Sequence, residues 1–277
     1  MNSINCKGKL LSVDEPLVMG IINATPDSFY EGHLTKPASD IVALAGKMIS
    51  DGAAILDIGG LSTRPGSQPV SVQEETDRVL PAIESIHAAY PEIILSIDTY
   101  NSAVAKAAIN AGVHIINDIS SGNLDAGMID TAAALHVPYI CMHMLGTPAT
   151  MQQQAVYKNV VKEVLDFFIA KINACNKAGI KDIIIDPGFG FAKTIEHNFQ
   201  ILKKLAVFNI TGKPILAGLS RKSTIYKTLG TTAAEALNGT TVLNTMALMN
   251  GASILRVHDV KEAMEAVKLF KAYKKAP

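Results

Sequence analysis

Eight short apolar runs in this sequence each stop at a polar or charged residue: Asn23, Asp57, Asp98, Asn117, His143, Asp186, Ser220 with Lys222 close behind, and Arg256 with His258. The chemistries are complementary. A carboxylate presents two oxygens at the spacing of an amidine-like N–H pair, so Asp186 or Asp98 can hold the donor edge of a heterocycle. Asn117 carries a donor and an acceptor and can read a mixed edge. Arg256, His258 and Lys222 can neutralise phosphate oxygens. Asn23 can lend one amide oxygen to a magnesium ion that takes its other ligands from phosphate and water. No His cluster points to zinc. Acids lie mainly on the second, third and sixth runs and bases on the last two, which suits a small polar heterocycle facing an anion.

Several of these groups also have a plainer reading. Asp57 can equally do no more than accept loop amides at a strand end. His143 reads as a satisfied residue at the top of its strand rather than a catalyst, and Asp118 as a cap on the loop that follows it. Phe189 and Phe191 are either core or, in a loop with two glycines, pocket lining for at least one of them. Lys222 opens a helix, but it directly follows Ser220-Arg221 at a strand end. Arg256, at the end of an apolar strand, is costly unless paired, which favours a role in the site.

Positioning such a ring takes a repeated element. The runs 17–22, 54–56, 93–97, 114–116, 139–142, 183–185, 214–217 and 253–255 lack strict alternation, as do strands covered on both faces of a parallel sheet. Amphipathic stretches separate them, predicting helices over 40–50 with Ser39 as N-cap, then about 71–90, 101–111, 125–136, 157–177, 194–208, segments within 222–250 broken near Gly230, and 259–272. Ile4 and Leu10-Leu11 around Lys7-Gly8-Lys9 predict a short N-terminal hairpin. Eight βα units make a (β/α)8 TIM barrel, a single domain over 1–277. The alternative, an open doubly wound sheet, usually carries a glycine-rich fingerprint after its first strand, where this chain has Asn23-Ala24-Thr25-Pro26. In a barrel the polar strand ends share one mouth.

Composition agrees. Apolar residues make up 48% of 277, enough for one large core, and charged residues only 18%. The net charge is +0, so no global field draws nucleic acid or a membrane surface, and an anion site has to be built locally. Cys6, Cys141 and Cys175 are few, odd in number and far apart, as free thiols in a reducing compartment are. With no apolar leader after Met1 and no run of about 18 apolar residues, a cytoplasmic protein is expected.

Five segments at these strand ends carry a family resemblance. Met19–Phe29 and Asp57–Gly66 resemble the first two signatures of the dihydropteroate synthases; Asp186–Phe191, Gly218–Ser223 and Arg256–Asp259 resemble later ones. Five ordered segments at matching strand ends are specific where one alone is weak. The resemblance implies condensation of (7,8-dihydropterin-6-yl)methyl diphosphate with p-aminobenzoate, with magnesium on Asn23, competition by sulfonamides, and a homodimer. It implies that Asp98, Asn117, Asp186 and Lys222 hold the pterin, with Met142, Phe191 and Gly218 around it. Arg256 stacks on the ring and, with His258 and Asn23, faces the diphosphate, and Thr63 also binds the pterin diphosphate. Phe29, Thr63, Arg64, Pro65 and Ser220 shape the aminobenzoate pocket. The chemical step rests on Asn23, Lys222, Arg256 and His258. Departures are Ala24, Tyr30–His33, Leu61 in place of a common Glu, and Ala192 in place of a frequent Gly. Weighed against this are a corrinoid-linked methyltetrahydrofolate methyltransferase, a Schiff-base aldolase using Lys222, and a non-catalytic pterin-binding paralogue.

Overall fold

A computed structural model describes residues 3–24, 38–61 and 70–277. Two strands, β1 (Ser3–Cys6) and β2 (Lys9–Ser12), pair antiparallel. Then follow β3 (Leu17–Asn23), α1 (Ala38–Ser50), β4 (Ile55–Gly59), α2 (Val72–Ala89), β5 (Ile94–Asp98), α3 (Ser102–Asn110), β6 (Ile115–Asp118), α4 (Met128–Leu135) and β7 (Tyr139–Met142). The chain continues through α5 (Val160–Ala178), β8 (Ile183–Asp186), α6 (Ile195–Lys203), β9 (Leu216–Ala217), α7 (Ser223–Leu229), α8 (Leu237–Met249), β10 (Ile254–Val257) and α9 (Val260–Lys275). Strands β3 to β10 form one sheet in the order β8-β7-β6-β5-β4-β3-β10-β9, with neighbouring strands parallel throughout. A parallel bridge between Ile185 and Ile215 brings β8 against the segment leading into β9 and closes the ring. This is the expected (β/α)8 barrel with its N-terminal hairpin.

The barrel interior is built by alternation. Met19, Ile55, Ile94, Ile115, Ile140, Ile184, Leu216 and Ile254, one from each barrel strand, meet in a single apolar layer at the floor. Ile4, Cys6 and Val13 of the hairpin region pack into that layer. Lys7 and Lys9 donate to the carbonyls of Ile109 (3.0 Å) and Pro91 (2.6 Å), which fixes the hairpin across the bottom. The next residue on the strands, Leu56, Leu95, Ile116, Cys141, Ile185, Ala217 and Leu255 among them, faces out against the helices. Strand side chains alternate, so the residue after that points inward again. This second inward position falls on Asp57, Ser96, Asn117, Met142, Asp186, Gly218 and Arg256. Chemistry therefore begins one layer above the floor.

Several element ends differ from the sequence expectation. Most barrel strands run on through the polar residue read as their stop, so Asp57 lies inside β4, which continues to Gly59. Only the side chain is polar there; the backbone stays in the ladder. Strand β9 is shorter than 214–217. Helix α1 begins at Ala38, so Ser39 is within it and is not its cap. Helix α5 starts at Val160 behind Asn159, whose side chain accepts from Lys162 N at 3.1 Å. The stretch read as one helix over 194–208 is α6 followed by a 3-10 segment, Leu205–Thr211.

Candidate active site

Two networks occupy the mouth. In the first, Arg256 of β10 reaches across to β4 and β5. Its Nε donates to Asp57 Oδ2 at 2.6 Å and its Nη2 to Asp98 Oδ2 at 2.5 Å. Asn117 Nδ2 donates to the same Asp57 oxygen at 2.9 Å. The pairing anticipated for Arg256 is thus supplied by two carboxylates. Asp57, read as either a strand-end cap or a site residue, is the anchor of this network and is fully buried. Burial disfavours the guanidinium charge, but the two carboxylates raise its pKa above the ordinary value. Burial pushes Asp98 up to about 7, with Arg256 pulling it down and Asp57 adding to the rise. With Nε and Nη2 engaged, the Arg256 guanidinium is held in one plane, and its Nη1 has no hydrogen bond among the described residues.

The second network lies on β8 and β9. Asp186 Oδ1 accepts from Gly188 N at 2.7 Å. Burial raises its pKa, opposed by the charge of Lys222. Lys222, at the start of α7, donates to the Phe189 carbonyl and holds its Nζ 4.8 Å from the Phe191 ring centroid. Burial lowers its pKa to about 8, against the pull of Asp186. A Cβ at Gly218 would lie 3.8 Å from Lys222 Nζ and 3.9 Å from Asp186 Oδ2, so the glycine keeps open the space between them. The two phenylalanines divide as the sequence allowed: Phe189 is fully buried core, and Phe191 is partly buried beside Met142, Met144, Met151 and Ile119. That apolar cluster forms one wall of the mouth.

Ser220 and His258 are brought together, Oγ to Nδ1 at 2.9 Å, and His258 N also donates to Ser220 Oγ at 3.2 Å. Arg221 between Ser220 and Lys222 has φ 53° and is fixed by a two-pronged ion pair to Asp259, at 2.8 and 2.9 Å. Asn23 closes β3 beside Gly59, its carboxamide without a hydrogen bond among the described residues. His143 is the satisfied residue that was expected, 3.0 Å from Lys193 Nζ. Asp118 faces outward and takes Ser120 N (2.7 Å), Gly122 N (2.7 Å) and Tyr139 OH (2.6 Å), the predicted loop cap. Phe29, Thr63, Arg64 and Pro65 lie outside the described residues, so of the five residues expected to shape an aminobenzoate pocket only Ser220 is described.

Sequence reasoning missed Lys193 and the coupling of Asp57 to Arg256. The signal for Asp57 was its position two residues beyond Ile55, which puts both side chains on the inner face. For Lys193 it was a lysine directly after Phe191-Ala192, in a loop otherwise short of charge.

The sequence pattern of the pterin binding enzymes matches residues 19–258. The dihydropteroate synthase of Escherichia coli K12 is 43% identical over 268 residues, 96% of this chain and 94% of that protein. The Haemophilus influenzae dihydropteroate synthase is 40% identical over 95% of this chain and 96% of its own length. Among solved structures, the Xanthomonas albilineans dihydropteroate synthase in complex with 7,8-dihydropteroate superposes with a TM-score of 0.90 at 37% identity, covering 100% of both chains. The Yersinia pestis dihydropteroate synthase in complex with a sulfonamide drug gives 0.94 at 39%, over 99% of this chain and 100% of that one.

Proposed function

This chain belongs to the pterin binding enzymes and, among them, to the dihydropteroate synthases, and on that premise we propose that it joins p-aminobenzoate to (7,8-dihydropterin-6-yl)methyl diphosphate, giving 7,8-dihydropteroate and diphosphate. The observation that carries the reading is the division of the mouth. Asp98, Asn117 and Asp186 line one side with acceptors and an amide, suited to an amino-pyrimidine edge. Arg256, held by Asp57 and Asp98, stands with His258 where an anion needs a cation and donors, and Lys222 stands beside Asp186 on the ring side. Met142, Phe191 and the space at Gly218 give the flat ring an apolar berth.

In the reaction the methylene C–O bond breaks and its electron pair leaves on the diphosphate. Arg256 and His258 offset that charge, and the cation left behind is delocalised into the electron-rich dihydropterin. The arylamine nitrogen then forms the C–N bond and gives its proton to solvent. No protein nucleophile is required. Asp57 and Asp98 hold the Arg256 plane in advance, so little reorganisation is left for the transition state. Ser220, with Phe29, Thr63, Arg64 and Pro65, receives the aminobenzoate, and Thr63 also takes part in binding the pterin diphosphate.

Magnesium belongs to this scheme through Asn23. Among the described residues no three His, Cys, Asp or Glu side chains form a ligand cluster, so a metal caged by protein has no donor set there. One neutral amide oxygen fits an ion that arrives with the diphosphate and keeps its waters. When bound, the ion withdraws charge from the leaving group.

The domain is the whole of 1–277. The active form is a homodimer. Val242, Met246 and Met249 are spaced to share one face of α8 and are 44%, 46% and 52% exposed, and Leu229 of α7 is 60% exposed, an apolar patch that a second copy would cover. No described helix is long and apolar enough to cross a membrane. The three buried cysteines form no disulfide, even though the Cys141 and Cys175 sulfurs lie 3.8 Å apart, which supports a reducing cytoplasm. Purified protein with magnesium is expected to release diphosphate only when both substrates are present, with sulfonamides competing against p-aminobenzoate. No dihydropteroate under those conditions would sink the reading.

A further inference from the structure

Lys193 takes no part in the chemistry above, yet it is one of the most deeply buried charges in the barrel, 3% exposed. Its Nζ lies 2.9 Å from Phe191 O, 3.1 Å from Gly188 O, 3.3 Å from His143 O and 3.0 Å from His143 Nδ1. Carbonyl oxygens only accept, so this is a socket for an ammonium and its three protons. Burial lowers the Lys193 pKa to about 7, with Asp186 opposing, and lowers that of His143 to about 2, which keeps the imidazole neutral and able to accept. Burying a lysine with no carboxylate in contact is expensive. The loop around it is costly too. Residues 188, 190 and 192 have φ +69°, +82° and +48°, and Ala192 bears a side chain in that left-handed region. At Gly188 no side chain is possible, because a Cβ would lie 2.1 Å from His143 O.

The same loop faces the pocket with its other groups. Gly188 N caps Asp186, the Phe189 carbonyl takes Lys222, and the Phe191 ring lies beneath the Lys222 ammonium. We propose that Lys193 is a positioning residue for pterin binding: its buried ammonium ties the end of β7 to loop 188–191 and so holds Asp186 and Lys222 at the spacing the heterocycle needs. The proposal rests on the reading of Asp186 and Lys222 as the pterin wall. Lys193 does not touch the ligand; it acts through the carbonyls of Gly188 and Phe191. It sets the recognition of one substrate and leaves the other alone.

The test is calorimetric titration of 6-hydroxymethyl-7,8-dihydropterin into the wild type, Lys193→Met and Lys193→Gln, with thermal melts and steady-state kinetics alongside. The methionine variant is expected to bind the dihydropterin about tenfold more weakly or worse, since its carbonyls lose charged donors. The glutamine variant keeps two N–H donors and falls between, and it carries the test if the methionine variant does not fold. The KM for the pterin diphosphate rises in step, while that for p-aminobenzoate stays within about twofold. A folded variant that melts lower but binds the dihydropterin as the wild type does overturns the proposal, as does an equal rise in both KM values. Wild-type protein that fails to bind the dihydropterin overturns the underlying reading instead.

Discussion

Asp57 carries the most demanding electrostatics of the site. Its Oδ2 accepts from both Asn117 and Arg256, while Oδ1, equally buried, has no partner among the described residues. Asp57→Ala would leave Arg256 with Asp98 alone and orphan the Asn117 amide. It is expected to cost about 3 kcal/mol in urea unfolding, the scale of breaking a buried pair, and to lower kcat/KM for the pterin diphosphate. Asp186→Ala is expected to weaken dihydropterin binding by about tenfold or more in calorimetry, because the donor edge loses both oxygens; unchanged affinity would refute its role and leave the family intact. Lys222 gives a pH dependence. Its folded pKa, about 8, is below the ordinary 10.5 of a lysine. The folded state therefore binds fewer protons than the unfolded state between those values, so this group's contribution to stability rises with pH across that window and is least below it. Substrate capture runs the other way, since the ammonium is the useful form. kcat/KM for the pterin diphosphate is expected to fall with an alkaline limb near 8, and Lys222→Arg to shift that limb upward. The identities of these residues were legible from type and order along the chain. Their partners were not, because Arg256 and Asp57 sit on strands that only the folded sheet brings to either side of β3, and they lie 199 residues apart in sequence.

At the scale of elements, the eight strands were legible because continuous apolar runs between amphipathic helices leave few other arrangements. Their ends were less so. Polarity in the sequence marks where side chains meet the mouth, whereas the ladder ends where backbone pairing ends, one or two residues later in β4 and β10. Loop 188–191 is the most tightly specified connection. Gly188→Ala would place a Cβ against the His143 carbonyl at a φ of +69°. A melt is expected to show a loss of several degrees or more, of the order of 2 kcal/mol or more, together with weaker dihydropterin binding as Asp186 loses its cap. A variant with wild-type stability and affinity would show that the loop can relax. The one expected N-cap, Ser39, lies inside its helix, whereas Thr194 caps α6 through a reciprocal bond with His197, a pairing legible only once the helix start is known.

At the scale of the whole molecule, eight repeating units made the barrel legible, but not which residues complete the ring between β8 and β9, nor the exposed apolar face of α8. Met246→Glu would put a charge in the middle of that exposed face. Sedimentation is expected to show the wild type as a dimer and the variant shifted to monomer, and a monomeric wild type would remove the dimer from the proposal. The hairpin's task was also hidden, since its partners are the first inward residues of all eight strands. That floor governs traffic. With β1 and β2 laid across the bottom, the barrel is a cup with one opening, and whatever enters must leave by the same door. A heterocycle held low on β5, β6 and β8 would be shut in by anything resting on the rim. The order of events should follow from this plumbing: the pterin diphosphate boards first, the arylamine second, and an arylamine mimic binds well only to a cup already filled. Titrating a sulfonamide into protein with and without a pterin diphosphate analogue would show whether the queue is obligatory, with equal affinity in the two titrations meaning that it is not.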